Sequence, residues 1–140
     1  MKVKIKKLNE SVKLPTYAHA GDAGLDLFSL EDFELLPGSR YNFFVGFALE
    51  FSDGYVAIVK DKSGLPKNYG LHVLGGVFDS CYRGEYNVTL INLGAEPHQI
   101  LTGDKIAQLL IIPCERAEFE ETGELSDSQR GEGRFGSSGK

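Results

Sequence analysis

Residues Gly70–Leu93, GLHVLGGVFDSCYRGEYNVTLINL, read as two apolar, β-rich arms around a turn. Gly70 and Gly75-Gly76 punctuate the first arm; Val88, Leu90 and Ile91 carry the second. Between them lies Asp79-Ser80-Cys81-Tyr82-Arg83-Gly84-Glu85. A carboxylate at the mouth of a rigid hairpin is held by the scaffold while water still reaches it. Tyr82, three residues on, offers a flat wall for a ring. Taken alone, the segment reads first as a turn rich in Asp, Ser and Gly with a surface tyrosine. Its chemistry therefore depends on what the rest of the chain supplies to Asp79 and Tyr82.

The chain has 140 residues, enough for one domain with a single core. A net charge of −5 argues against nucleic acid as a partner, which calls for a basic face. Cys81 and Cys114 form no CxxC pair and have no histidine at ligand spacing, which excludes a zinc framework and fits a reducing compartment. The opening MKVKIKKLNE alternates lysine with Val3 and Ile5 and has no unbroken apolar core of the secretory kind. No run approaches membrane-spanning length, so no membrane partner and a cytoplasmic location are expected. His19, His72 and His98 are scattered singly and read as surface or packing residues.

Lys2–Leu8 alternates as an edge strand, its lysines discouraging further sheet addition. In Ala18–Leu27, AHAGDAGLDL, Asp22 and Asp26 lie four apart. Gly21 and Gly24 favour a strand or bulge, which would point both acids to one side. Two such aspartates can hold a hard cation or its waters; taken alone, the stretch reads more simply as one aspartate capping a turn. Phe33–Leu36 and Tyr41–Phe51 read as strands around Pro37-Gly38, the second apolar on both faces. Ser52-Asp53-Gly54 is a tight turn before the strand Tyr55–Val59. Next, Ser63 is placed to cap a short helix containing Pro66 and ended by Gly70. Its first amides, with Lys62 and the Ser63 hydroxyl, make either an anion site or an ordinary capped turn. After the turn Leu101–Lys105, the strand Ile106–Ile112 carries one polar residue, Gln108, whose amide needs a backbone or ligand partner if buried. Pro113 closes that strand.

Beyond Cys114 the character changes. Glu115–Asp127 carries six acids, and nine of the eighteen residues from Gly123 to Lys140 are Gly or Ser. Such a composition builds no core of its own. Glycines 131, 133 and 136 spell GxGxxG, but no strand precedes them and no helix follows, so a dinucleotide fingerprint is rejected. What remains is an arm with Arg130, Arg134, Phe135, Ser137 and Ser138 among glycines. Amides, hydroxyls and arginine suit phosphates, and Phe135 suits stacking on a base.

AGDAGLDL, DKSGL, GGVFDSCYRGE, GDKIAQLLI and RGEGRFGSSG together, in this order, resemble the five motifs of the homotrimeric deoxyuridine triphosphatases (dUTPases), from Ala18 to Gly139. The resemblance implies an all-β, distorted jelly-roll with one short helix over residues 1–122, and a flexible arm over residues 123–140 that closes on the active site. It implies hydrolysis of dUTP to dUMP and diphosphate with Mg2+. Such an activity keeps uracil out of DNA and supplies dUMP for thymidylate synthesis. It also implies a homotrimer with three composite sites. The first, second and fourth motifs come from one subunit, the third from another and the arm from the last.

Carried over by residue, Asp79 matches the carboxylate that orients and deprotonates the attacking water. Tyr82 matches the ring packed under deoxyribose. The backbone around Val73–Gly76 reads the uracil edge. Asp26 matches the acid that holds the metal through water, the metal resting mainly on substrate phosphates. Lys62, Ser63, Gly64 and Gln108 match phosphate contacts. Arg130, Gly136, Ser137 and Ser138 match the arm's phosphate contacts, and Phe135 the ring that covers uracil.

Lys62 departs from the usual arginine, which keeps the charge but loses the bidentate fork. Arg134 stands where glycine is usual. The nearest alternative is a dCTP deaminase, which shares the fold but carries a catalytic glutamate after the hairpin turn; Tyr86–Leu93, YNVTLINL, has no acid. A non-catalytic nucleotide-binding trimer is the other alternative, and loss of the base or the arm would mark it.

Overall fold

A computed structural model describes residues 1–133. Eleven strands and one helix follow in the order β1 (Lys4–Lys7), β2 (Leu25–Phe28), β3 (Phe33–Leu35), β4 (Arg40–Phe44), β5 (Phe47–Glu50), β6 (Tyr55–Lys60), α1 (Gly64–Tyr69), β7 (Leu71–Leu74), β8 (Val77–Asp79), β9 (Asn87–Asn92), β10 (His98–Ile100) and β11 (Lys105–Pro113). Every pairing is antiparallel. The largest sheet runs β2-β11-β6-β8 and a second runs β4-β9-β7; β1-β5 and β3-β10 are two-stranded ribbons. Alternation along β9, from half-buried Asn87 to buried Asn92, drives Val88 and Leu90 into the core. They meet Phe43, Phe47, Val59, Leu71, Ile106 and Leu109 there.

Two stretches fold differently from the sequence-based expectation. The stretch Tyr41–Phe51 is not one strand. It breaks at Gly46, whose φ of +73° turns the chain from β4, paired with β9, into β5, paired with β1. The Gly46 N–H donates to Glu85 Oε1 at 2.9 Å, which fixes the break. Nor are the arms of Gly70–Leu93 a simple hairpin. Only β7 pairs with β9. Gly75 and Gly76, with φ of +69° and +93°, divert the chain so that β8 joins β6 in the other sheet. The Gly76 carbonyl accepts the Val59 N–H at 2.7 Å, and a Cβ on Gly76 would lie 2.7 Å from the Val59 carbonyl oxygen.

The start of α1 also differs from the expected capped turn. Gly70 ends the helix in the left-handed conformation, as expected. Ser63, however, is itself helical, and its hydroxyl makes no capping bond. The hydroxyl is left for another partner.

At Gly46 an added Cβ would overlap the Val12 side chain and approach Leu30 Cδ1 to 2.8 Å. Gly46→Ala is therefore predicted to cost roughly 1–3 kcal/mol from overpacking and positive φ together. Urea denaturation checks this; an unchanged midpoint would show that the sheet switch tolerates a side chain.

Candidate active site

Three segments meet at one end of the large sheet. β11 lies between β2 and β6, and Gln108 pairs with Asp26 on one side and Lys60 on the other. Asp26 is only 3% exposed. Lys62 Nζ donates to its Oδ1 at 2.7 Å, and Lys105 Nζ lies 2.7 Å from Oδ2. The second contact is an ion pair off the hydrogen-bonding direction, so Oδ2 has charge compensation but no hydrogen bond among the described residues. Burial pushes this carboxyl pKa up. The close contacts and charges of Lys105 and Lys62 together outweigh that, holding it below the usual carboxylate range.

Asp22 does not share this site. Its carboxylate accepts the His19 N–H at 2.9 Å and closes a turn ahead of β2, because Ala18–Gly24 is not extended. Lys105 was not singled out from the sequence, although it precedes Gln108 in GDKIAQ. Nothing local distinguishes it from a surface lysine; only the β11–β2 register brings it to Asp26.

The Gln108 amide finds a backbone partner, donating to the Asp61 carbonyl at 2.7 Å. Its side chain packs against Gly24, where any Cβ would overlap it. Ser63 and Gly64, exposed at the start of α1, follow directly from this point. The Asp61 carboxylate reaches the other way. Oδ1 accepts the Val73 N–H at 2.6 Å, and Oδ2 lies 2.7 Å from His72 Nδ1. Val73 itself is 7% exposed and packs in the core. Along Val73–Gly76 the chain is open at Gly75 and half-buried at Leu74 and Gly76.

Asp79 ends β8 and is exposed. Its carbonyl accepts the Tyr82 N–H at 3.0 Å, closing the turn. The Arg83 guanidinium donates to the Ser80 carbonyl at 2.6 Å and the Tyr82 carbonyl at 2.9 Å, and the Ser80 hydroxyl donates to Asp53 at 2.9 Å. Tyr82 is partly exposed, and its hydroxyl donates to the Glu85 carbonyl at 3.1 Å. Behind it Phe78 stacks on Tyr86 at 4.2 Å, and Tyr86 on Phe47 at 5.5 Å. Burial above all, then Tyr82, pushes the Tyr86 phenol up to about 12. Cys81, in the same turn, is a free exposed thiol.

Within one chain these groups form two clusters. Asp79 pairs with Val56 of β6, whereas Gln108 pairs with Lys60, four residues farther along and across the strand. That is about 13 Å along β6, plus two strand spacings of about 4.8 Å. Asp79 cannot share a water with Asp26 or Gln108 of the same chain. Of the arm, the Arg130 Nε donates to the Gly133 carbonyl at 2.9 Å. Phe135, Gly136, Ser137 and Ser138 lie outside the described residues.

The family model described as dUTPase matches residues 10–139. The chain belongs to the dUTPase family. A deoxyuridine 5'-triphosphate nucleotidohydrolase from Thermobifida fusca is 47% identical over 142 residues, covering 99% of this chain and 79% of that protein. The namesake from Anaplasma marginale is 46% identical and covers 99% of each. Among solved structures, the Staphylococcus bacteriophage 80alpha dUTPase G164S mutant with dUpNHpp superposes with a TM-score of 0.92. It is 27% identical and covers 99% of this chain and 98% of that one. The fold is thus the dUTPase jelly-roll, nearly all β with one short helix.

In this dUTPase chain the Asp26 ion pairs carry a pH signature. A carboxyl held below its unfolded value near 3.8 contributes stability that is complete above that value and is lost as pH falls through the lower folded one. Asp26→Asn leaves two ammonium groups facing each other. It is predicted to cost about 1–3 kcal/mol at pH 7, less than a fully buried pair because both lysines reach water. The gap to wild type should narrow as pH drops below 3.8. Urea unfolding at pH 7 and near pH 3 checks this; a gap constant with pH would refute the ion-pair account.

Proposed function

We propose that the chain hydrolyses dUTP to dUMP and diphosphate at sites shared between subunits of a homotrimer. The observation that carries the reading is the turn after β8. It holds the exposed Asp79 carboxylate three residues from Tyr82, and the Phe78–Tyr86–Phe47 stack backs that ring. Asp79 takes a proton from water as its oxygen bonds to the α-phosphorus. The bond from that phosphorus to the bridging oxygen breaks, and diphosphate leaves. Tyr82 packs under the deoxyribose and leaves no room for a 2′-hydroxyl, while the Gly75-Gly76 backbone reads uracil.

Lys62, the free Ser63 hydroxyl, the Gly64 amide and Gln108 hold the phosphates of the same substrate. Their separation from Asp79 within one chain supports a site completed by a neighbouring subunit. So does the apolar groove of about 430 Å³ lined in part by Met1, Val3, Ile5 and Leu109, and Phe119 at 95% exposure, surfaces suited to burial between subunits. Residues 1–122 act as the β domain. Residues 123–140 act as the arm, with Arg130, Gly136, Ser137 and Ser138 on phosphate and Phe135 over uracil.

No group of three or more His, Cys, Asp or Glu among the described residues can hold a metal by itself. The residues do fit Mg2+ carried mainly by substrate phosphates. Asp26 Oδ2 lacks a hydrogen bond and can accept one from a metal-bound water, while the flanking ammonium groups oppose direct ligation. Mg2+, when bound, neutralises the polyphosphate charge that opposes attack. A net charge of −5 supports a small-molecule rather than a nucleic-acid substrate, and two free thiols support a cytoplasmic setting. The activity removes dUTP before it enters DNA and yields dUMP for thymidylate synthesis.

With dUTP and magnesium, dUMP and diphosphate are the expected products, UTP and dCTP being poor substrates. Ammonia from dCTP would move the chain to the deaminases, and nucleotide binding without turnover would make it a non-catalytic trimer. Asp79→Asn should fold and bind but lose about 10²–10⁴-fold in kcat; near-normal turnover would put the base elsewhere. A second expectation concerns the shared site. Asp79→Asn and a chain ending at Gln129 are each inactive alone. Refolded together in equal amounts, they should complete roughly a quarter of sites by random threefold assembly. Turnover no higher than either parent would place base and arm on one subunit.

A further inference from the structure

We infer that Asp61 is a positioning residue for nucleotide recognition, binding together the backbone that reads the base and the side chains that hold the phosphates. This rests on the function proposed above. Asp61 contacts no substrate group in that reading, yet three of its acceptor atoms are engaged by the parts that do or that adjoin them. Oδ1 takes the Val73 N–H at 2.6 Å, Oδ2 lies 2.7 Å from His72 Nδ1, and the carbonyl takes Gln108 Nε2 at 2.7 Å. The next residues in the chain are Lys62 and Ser63.

The carboxylate acts on the one stretch of β7 that leads into the sheet switch. β7 holds β9 through Leu74, and β8 begins at Val77, leaving Gly75 and Gly76 between two sheets. Both glycines sit at positive φ, where the chain has many alternatives. The Gly76 carbonyl is tied to Val59 on one side, and Val73 is tied to Asp61 on the other. A charge-assisted bond at 2.6 Å is short and directional. Removing it frees the approach to Gly75 while the core packing of Val73 keeps the strand in place.

The same residue faces two half-sites. In a shared-site trimer the Val73–Gly76 backbone of one subunit serves one nucleotide, and its Lys62–Gly64 segment serves another. Asp61 is the covalent and hydrogen-bonded link between them. Its loss should therefore weaken binding and base selection more than the chemical step, which depends on Asp79 in the separate turn.

The test compares Asp61→Ala, Asp61→Glu and Asp61→Asn with wild type in the full-length enzyme. Steady-state kinetics with dUTP and dCTP are measured alongside thermal unfolding. Misplacing a recognition element by about 1 Å costs up to ~10²-fold. Asp61→Ala is expected to raise KM for dUTP about 10-fold or more. The dUTP over dCTP ratio of kcat/KM should fall by a similar factor, with kcat changed less than about 3-fold. Asp61→Glu keeps the charge but displaces it by one methylene, so it should show part of the same defect even if Asp61→Ala does not fold. Asp61→Asn keeps an oxygen for Val73 and should return towards wild type.

Loss of melting temperature with wild-type KM and discrimination in both Asp61→Ala and Asp61→Glu would overturn the inference and leave Asp61 a structural residue. Loss confined to kcat would overturn it as well. If wild type itself turns over no dUTP, the proposed function fails first, and the inference falls with it.

Discussion

The β6–β11 ladder is the constraint on which everything else rests. Six consecutive pairs, from Gln108–Lys60 to Pro113–Tyr55, fix two largely apolar strands against each other at the centre of the large sheet. Because side chains alternate faces along a strand, a slip of one residue would turn either Ala57 and Val59 out of the core or Gln108 into it. The register also fixes the distance between the two candidate clusters, since β2 hangs on one side of this ladder and β8 on the other. Asp26 and Lys105 meet, and Asp79 stands apart, for the same geometric reason.

Much of this was legible in the chain. Apolar runs bounded by turn residues mark most strands, alternation marks Lys2–Leu8, Gly70 ends the helix, and the Asp79–Tyr82 turn is visible from Asp, Ser and Gly alone. Neighbour relations were not. A two-residue period tells which face of a strand is buried but not which strand lies beside it. Tyr41–Phe51 therefore looked like one strand, although Gly46 hands its second half to another sheet. Gly75-Gly76 looks in the sequence like punctuation within one arm, and in the fold it transfers the chain between sheets.

The same limit applies to the candidate site. Ser63 and Gln108 stand out in the sequence because a hydroxyl at a helix start and an amide in an apolar strand are locally unusual. Asp61 and Lys105 are ordinary charged residues in ordinary polar stretches. Each acquires its place through partners far away in sequence: Val73 and Gln108 for the first, Asp26 for the second. Asp22 illustrates the converse. Its spacing from Asp26 suggested a pair, but the glycines around it fold into turns, and its carboxylate is spent on His19.

The thiol of Cys81 has a practical consequence. It lies two residues from Asp79 and one from Tyr82, on a turn whose backbone Arg83 and Ser80 hold in place. The other thiol, Cys114, lies just past the end of β11, outside that turn. With Cys114 replaced by serine, a small thiol-reactive fluorophore would attach at a single defined point beside the tyrosine ring. Under the proposed role of that turn, the chain thus carries a natural labelling position from which arrival and departure of a nucleotide become optical signals, with no cysteine introduced.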